Sequence, residues 1–514
     1  MPRLPFTPLK DGFAFGNDFV NHVIRVPMLG VDVTTRGRCG GMAFTALDLW
    51  HHRITTSTSS RRPDDGSLLG DYLYWRLIDS MVANGFKFLH FMRTPDHPTW
   101  FNGIGVARAT REEEYPRLKS VIDSGRPCPV GLCQARGLGG LSGDHQVVAY
   151  GYEDGDPYSR VFVYDVNHPG VEHTLEFTSA YDPGEREVRE NNGAVWRGFF
   201  VESYAPQLPV FLAEGRLLSD RSDPAVHVVR GGGRFHVPSP QEFDANGFQW
   251  HEVVEAQDGS MEHVSAHPAD RMLVRERSRS TVHVVHGGRA FAVPSPEVLA
   301  ALGLDLATLC IVPDGSLGAI EAAVPREGTL LRELDDPRVH TVRAGVLRHV
   351  PSLEAFHANG FVWDNVGVVP QGALAKLPMG DPVPDSGHGS SPIARSWAER
   401  RSGTILTSDG DRIHYTVVPG QPGDGAVEFV LELGAALTWR KELVLRDGAG
   451  ASWTIGVQDA QRSDRNGLYR DQLPGGSLLF RKMKGLGVMW DVHSLGSLDQ
   501  LPDGARVTFH WHND

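Results

Sequence analysis

Four cysteines in 514 residues, at 39, 128, 133 and 310, are too few and too scattered for a disulfide framework. The sequence therefore predicts free thiols. No apolar run approaches the roughly 20 residues of a membrane span, so no span is expected. Dense blocks of lysine and arginine are also missing, and the net charge is −13. Both facts argue against nucleic acid or an anionic membrane as the main partner. The first ten residues, Met1-Pro-Arg-Leu-Pro-Phe-Thr-Pro-Leu-Lys10, lack an apolar core followed by a small-residue cleavage site, so they do not read as a secretory signal peptide. A cytoplasmic location is the default expectation, with export by a signal-independent route as the alternative. No pattern calls for a cofactor or a metal. What remains is ordinary globular composition, 40% hydrophobic and 22% charged. The length suggests three to four domains.

Chemistry concentrates near residue 39. In Gly37-Arg38-Cys39-Gly40-Gly41-Met42-Ala43-Phe44, a thiol lies between glycines at the start of a segment with helical character, continuing through Ala46, Leu47, Leu49 and Trp50. A thiol at a helix N-terminus faces free backbone N–H groups and the positive end of the helix dipole, which favour the thiolate. About a hundred residues later come Asp144-His145-Gln146-Val147-Val148-Ala149-Tyr150-Gly151-Tyr152 and Val161-Phe-Val-Tyr-Asp165-Val-Asn167-His-Pro-Gly170. A lone cysteine is usually a small buried hydrophobe, and a lone histidine is usually structural. The combination is different. A cysteine heading a helix, a histidine opening one strand and an Asp or Asn ending the next form a thiol-nucleophile constellation.

In this order and context the chain resembles the papain-like cysteine peptidase superfamily, and within it the bacterial C39-like branch. His145–Tyr152 with Val163–Gly170 is similar to that branch's histidine strand and its Asp-Pro-Asn turn. Arg117–Val130 resembles the helix-turn-strand that leads into the core sheet. The resemblance covers roughly residues 8–212. It implies Cys39 as nucleophile, His145 as general base and acid, and Asp165 as the residue orienting the imidazole, with Asn167 as the alternative. Three departures stand out. Residues 31–38 contain no glutamine where the family places an oxyanion donor, Gly41-Met42 replaces the usual tryptophan, and the turn Asp165-Val166-Asn167 lacks the proline. One oxyanion donor is worth about 3 kcal/mol in a transition state. The Cys39 N–H supplies one, and Asn17, Asn21 or a threonine is a candidate for another.

Elsewhere in this region, Leu68–Val82 carries apolar residues at helical spacing, ended by Asn84-Gly85. Tyr72, Trp75, Phe86, Phe88 and Phe91 read as core, or else as cleft lining. Thr94–Gly103 is a turn-rich loop at a potential substrate rim. Cys128 and Cys133 flank a buried strand and read as core residues.

A different organisation begins after residue 212. Val226-His-Val-Val-Arg-Gly-Gly-Gly-Arg-Phe-His-Val-Pro-Ser-Pro240 recurs at Val282–Pro296 and again at Val339–Ser352. The prolines at 238, 294 and 351 are 56 and 57 residues apart. His227, His283 and His340 keep step, as do Gly247, Gly303 and Gly360. Three α/β repeats are expected, at 213–269, 270–326 and 327–383. Each reads as a β-hairpin turning at glycines, a short helix capped by Ser239, Ser295 or Ser352, and a further strand. The units resemble repeats of bacterial surface proteins, which implies a binding array, with a spacer as the plainer reading. The strand histidines read as structural, not as metal ligands.

Residues 384–396 are a linker by composition. From 397 to 514, short β runs alternate with turns and indicate a β-sandwich. His510 and His512 share one strand face there, without a visible third metal ligand. The whole chain is therefore expected to be multidomain α+β, with a papain-like domain at 1–212, the repeats at 213–383, and the β-sandwich. Two functions of different class follow. One is a cysteine hydrolase or acyltransferase acting on a peptide, isopeptide or amide bond of a protein or peptide substrate. The other is a catalytically inactive papain-like scaffold whose repeats and β-sandwich bind a protein or glycan.

Overall fold

The computed structural model describes residues 2–19, 24–26, 31–33, 37–97, 104–136, 143–184 and 187–383, and beyond these the strand backbones given below. The expected linker at 384–396 lies outside the described residues. The chain is α+β with several separate sheets. It divides into two units, one comprising Met1–Glu172, Thr178–Arg186 and Trp196–Asp385, the other His173–Phe177, Glu187–Val195 and Ser386–Asp514.

In the first unit, helix α1 (Cys39–His51) is buried from Gly40 to Leu49 on every side. Its apolar residues Met42, Ala43, Ala46 and Leu47 join Val148, Tyr150 and Tyr164 of the neighbouring sheet in one core. Glycine makes this burial possible. A Cβ at Gly41 would lie 2.0 Å from the Leu73 carbonyl oxygen, so only glycine lets α1 meet helix α2 (Leu68–Arg93) at that depth. A single carboxylate then locks the two helices. Asp48, fully buried, accepts from Arg76 at 2.7 and 3.0 Å, from the Tyr72 hydroxyl at 2.8 Å, from the Tyr204 hydroxyl at 2.7 Å and from the Gln207 N–H at 2.9 Å.

Helix α2 starts where Ser67 accepts from the Gly70 N–H. It does not stop at Asn84-Gly85 as the sequence suggests but continues to Arg93. The buried Asn84 amide donates to the carbonyls of Ser80 and Ser203 and accepts from the Ser203 N–H at 2.7 Å. Tertiary hydrogen bonds thus override its turn propensity. Of the aromatics expected in the core, Phe91 is buried. Trp75 and Phe86 are exposed instead, because they fall on the outer stripe of a helix longer than the sequence indicates.

A third helix, α3 (Tyr115–Asp123), precedes strands β1 (Cys128–Cys133), β2 (His145–Glu153), β3 (Tyr158–Asp165) and β4 (Gly198–Val201). They pair antiparallel in the order β3-β2-β1-β4, with Leu132 opposite His145 and Val147 opposite Asp165. This register places the start of β2 and the end of β3 side by side. Cys128 and Cys133 are buried in β1.

Between residues 217 and 369 lie three four-stranded sheets. Their strands are β5–β8 (Leu217–Asp220, His227–Arg230, Gly233–His236, Val253–Ala256), β9–β12 (Leu273–Glu276, Val282–His286, Arg289–Val293, Leu309–Val312) and β13–β16 (Leu330–Glu333, Val339–Arg343, Val346–Val350, Val366–Val369). The orders β7-β6-β5-β8, β11-β10-β9-β12 and β15-β14-β13-β16 are the same pattern, with the fourth strand parallel to the first. The sequence pattern gives the hairpins and last strands. It leaves out the first strand of each sheet. The hairpin loops are two residues with positive φ, namely Gly231-Gly232, Gly287-Gly288 and Ala344-Gly345, as twisted two-residue hairpins require. Ser239, Ser295 and Ser352 each accept the N–H three residues on, at the start of helices α4 (Pro240–Ala245), α5 (Pro296–Ala301) and α6 (Leu353–Ala358).

Neighbouring sheets share cores. Val228, Phe235 and Phe243 pack with Val274, Val285 and Val312, and Val284 and Phe291 with Leu331, Val342 and Val369. Leu218 and Val229 of the first sheet belong to the core that holds α1. The side chains of Trp250, Leu306 and Trp363, at equivalent positions, are more than half exposed, and the two indoles stack on Phe243 and Phe356 at 4.1 and 4.3 Å.

In the second unit, strands Ser402–Leu406, Arg412–Pro419, Gly425–Glu432, Arg506–Asn513 and Val488–His493 form an antiparallel five-stranded sheet in that order. Two further antiparallel strand pairs, Glu442–Arg446 with Ser452–Gly456 and Leu468–Arg470 with Leu479–Arg481, lie in the same unit. The side chains of His510 and His512 lie outside the described residues. Among the described residues, no helix is long and apolar enough to cross a membrane.

Two stability changes follow. Asp48→Ala strands the buried Arg76 guanidinium and is expected to cost about 3–5 kcal/mol in chemical denaturation. Ala344→Gly relieves a left-handed backbone at φ 54° and is expected to stabilise by about 0.5–1 kcal/mol in the same assay.

Candidate functional site

Three structural elements bring the sequence-predicted residues together. The first turn of α1 presents Cys39, β2 opens with His145, and β3 ends at Asp165. Each is fixed locally. The N–H of Arg38 donates to the Asn17 side chain, and the Arg38 guanidinium holds the Gly70 carbonyl at 2.9 Å and pairs with Asp65. Asn17, one candidate oxyanion donor, thus anchors the residue before Cys39. Asn21, another, lies outside the described residues. Asp144 accepts the N–H groups of Gln134 and Ala135 at 2.8 Å each, tying the residue before β2 to the end of β1.

His145 Nε2 is 2.6 Å from Asp165 Oδ1, and both side chains are buried. Asp165 is itself held, since it accepts the Asn167 N–H at 2.9 Å and contacts His168 Nδ1 at 2.9 Å. The Asn167 amide nitrogen lies 3.2 Å from the same His145 Nε2. The Trp196 ring stacks nearly parallel on the imidazole, with centroids 6.0 Å apart. Burial disfavours the imidazolium, yet the charge and hydrogen bond of Asp165, with a hydrogen bond to Cys39, outweigh it and hold the His145 pKa well above its ordinary value. The Cys39 thiol is half-buried and interacts electrostatically with the ring.

Sequence reasoning missed three participants. Trp196 comes from a distant short segment with no pattern of its own. Gln146 is the second, its Oε1 3.8 Å from Cys39 Sγ and its Nε2 2.8 Å from both carboxylate oxygens of Glu202. Glu202 is the third, directly after β4 and 4% exposed. Gly40 was the available signal. A Cβ there would lie 2.1 Å from Gln146 Oε1 and 2.3 Å from Ser80 Oγ, so the glycine after the cysteine clears room for a polar side chain. Cys128 and Cys133 take no part. Burial pushes the Cys128 thiol up to about 12 and the Cys133 thiol well above its ordinary value.

No protein-family model matches this chain, and no curated protein matches it. Among solved structures, it is similar to a chain of "Structure of the periplasmic assembly from the ESX-5 inner membrane complex, C1 model". Identity is 13%, over 48% of this chain and 87% of that one, with a TM-score of 0.11. A likeness at that level carries no argument about fold or function.

The raised His145 pKa sets a pH dependence. A group whose pKa rises on folding contributes stability that is fully present below its unfolded value, about 6.5 for histidine. That stability is lost as pH climbs through the folded value. The melting-temperature gap between wild type and Asp165→Asn is therefore expected to be widest below about pH 6.5 and to narrow toward alkaline pH.

Proposed function

We propose that this chain is a papain-like cysteine hydrolase or acyltransferase of C39-like type, acting on a peptide, isopeptide or amide bond of a protein or peptide. The observation that carries the reading is the buried Asp165–His145 pair set against Cys39 at a helix start. Asp165 holds Nε2, which leaves Nδ1 for the thiol. Asp165 is the orienting residue because its contact is shorter and charged, whereas Asn167 Nδ2 brings a second hydrogen toward the same nitrogen. In the reaction, Cys39 Sγ attacks the carbonyl carbon as His145 takes the thiol proton. The imidazolium gives that proton to the leaving amine as the C–N bond breaks, and an acyl-thioester remains. Water or an acceptor amine then attacks the thioester with His145 as base, and the thiol is restored. The Cys39 N–H, in the unpaired first turn of α1, is one donor to the oxyanion.

In this reading the three like-ordered sheets are tandem copies of one unit of about 56 residues, and the five-stranded sheet with its hairpins belongs to a β-sandwich. A binding role for the copies, toward a protein or glycan, is favoured by one observation. Trp250, Leu306 and Trp363 present apolar surface at the same place in each sheet. A scaffold without turnover would keep that surface and lose the chemistry.

Iodoacetamide labelling read by peptide mass spectrometry separates the two. At neutral pH Cys39 is expected to label at least tenfold faster than Cys310, and His145→Ala is expected to remove the advantage. Asp165→Ala is expected to slow labelling more than Asn167→Ala. Equal labelling of Cys39 and Cys310 in the wild type would leave the scaffold reading standing.

A further inference from the structure

The polar chain behind Cys39 is more than the proposed mechanism uses. Gln146 bridges the sulfur to a carboxyl group shut away from solvent, with its carbonyl end toward Cys39 and its amino end toward Glu202. That direction follows from Glu202 as a carboxylate, which can only accept. A protonated Glu202 carries an O–H needing an acceptor, and the Gln146 carbonyl is the acceptor at hand. The rest of the surroundings offer donors or charge. Asn84 Nδ2 on α2 donates to Glu202 at 3.3 Å. Lys87, also on α2, is committed to Glu114 at 2.7 Å and to the Val201 carbonyl at 3.0 Å. Cys128 and Cys133 on β1 interact electrostatically with the group and are kept neutral by burial.

We infer that Glu202 is a positioning residue that decides which end of the Gln146 amide faces Cys39. With the carboxyl protonated, its O–H donates to Gln146 Oε1, the amide turns over, and Nε2 becomes a hydrogen-bond donor against the sulfur. Ionised, Glu202 draws Nε2 back and leaves a carbonyl oxygen there, which repels a thiolate. Only the carboxyl O–H bond is made or broken, its proton exchanging with solvent. Burial raises the Glu202 carboxyl to about 8, against the opposing hydrogen bond from Gln146 and the charge of Lys87. The turnover of the amide thus falls in a range where thiol chemistry is carried out.

This inference rests on Cys39 being the reactive thiol, and the experiment separates the two claims. Iodoacetamide labelling of Cys39 is followed from about pH 6 to pH 10 in wild type, Glu202→Gln, Gln146→Met and His145→Ala, with Cys128 and Cys133 as reporters of an intact core. The Glu202→Gln to wild-type rate ratio is expected to be near one at pH 6. It should rise above pH 8 by up to about tenfold, the worth of one hydrogen bond to a charged group. Gln146→Met loses both ends of the amide, so its rate should fall below wild type at pH 6 and overtake it above pH 8. Either variant alone tests the inference if the other fails to fold. Fast, His145-dependent labelling with both ratios flat across the range would overturn the Glu202 inference alone. Wild-type Cys39 labelling no faster than Cys310 would overturn both claims.

Discussion

The placement of Cys39 depends on a carboxylate about 13.5 Å along its own helix, nine residues on at a rise of about 1.5 Å per residue. Asp48 receives five hydrogen bonds, three from α2 and two from the segment after β4. A buried charge of this kind is tolerated only when its lone pairs are filled. Its partners are therefore constrained as tightly as it is. Helix α1 cannot slide or rotate on α2 without breaking several of these bonds at once. The thiol at the helix start inherits that precision, and Gly41 sets the depth at which it is delivered.

Much of this was legible in the sequence. The helix headed by Cys39, the strand opened by His145 and the strand ended by Asp165 declare themselves through glycine spacing and runs of β-branched residues. Their convergence needs only antiparallel pairing with Val147 opposite Asp165. The hairpins and serine caps of the three sheets were legible for the same reason, since turn and cap chemistry is local. What stayed hidden was non-local. Nothing near Asn84 says that Ser203 will hold its amide and carry the helix onward. Nothing near Glu202 says that it will be buried against Gln146. Trp196 stacks on His145 from a two-residue strand that periodicity cannot register.

The site and the sheets pose two different physical problems. Around Cys39, polar groups are buried and must each find a partner, so single contacts matter. In the sheets, small apolar faces are covered by neighbours, so the area shared matters more than any one residue. The ion pair of Arg277 with Glu242 and Asp314 links the first sheet's helix to the second sheet within this apolar stack. The exposed indoles sit outside both regimes, held by one ring face and open on the other.

Because Leu218 and Val229 lie in the same core as Met42 and Leu47, the first sheet serves as the end wall of the thiol-bearing region. A polypeptide ending at residue 212 would present that wall's seat to water. The three sheets are thus not equivalent. The first shares the core that holds α1, while the segments around the later two are tied to the amino-terminal part of the chain, where Lys10 pairs with Asp270 and the Arg326 guanidinium donates to the Thr56 carbonyl. Loss of the first sheet would therefore bare the apolar seat of Met42 and Leu47, a cost that loss of a later sheet does not carry.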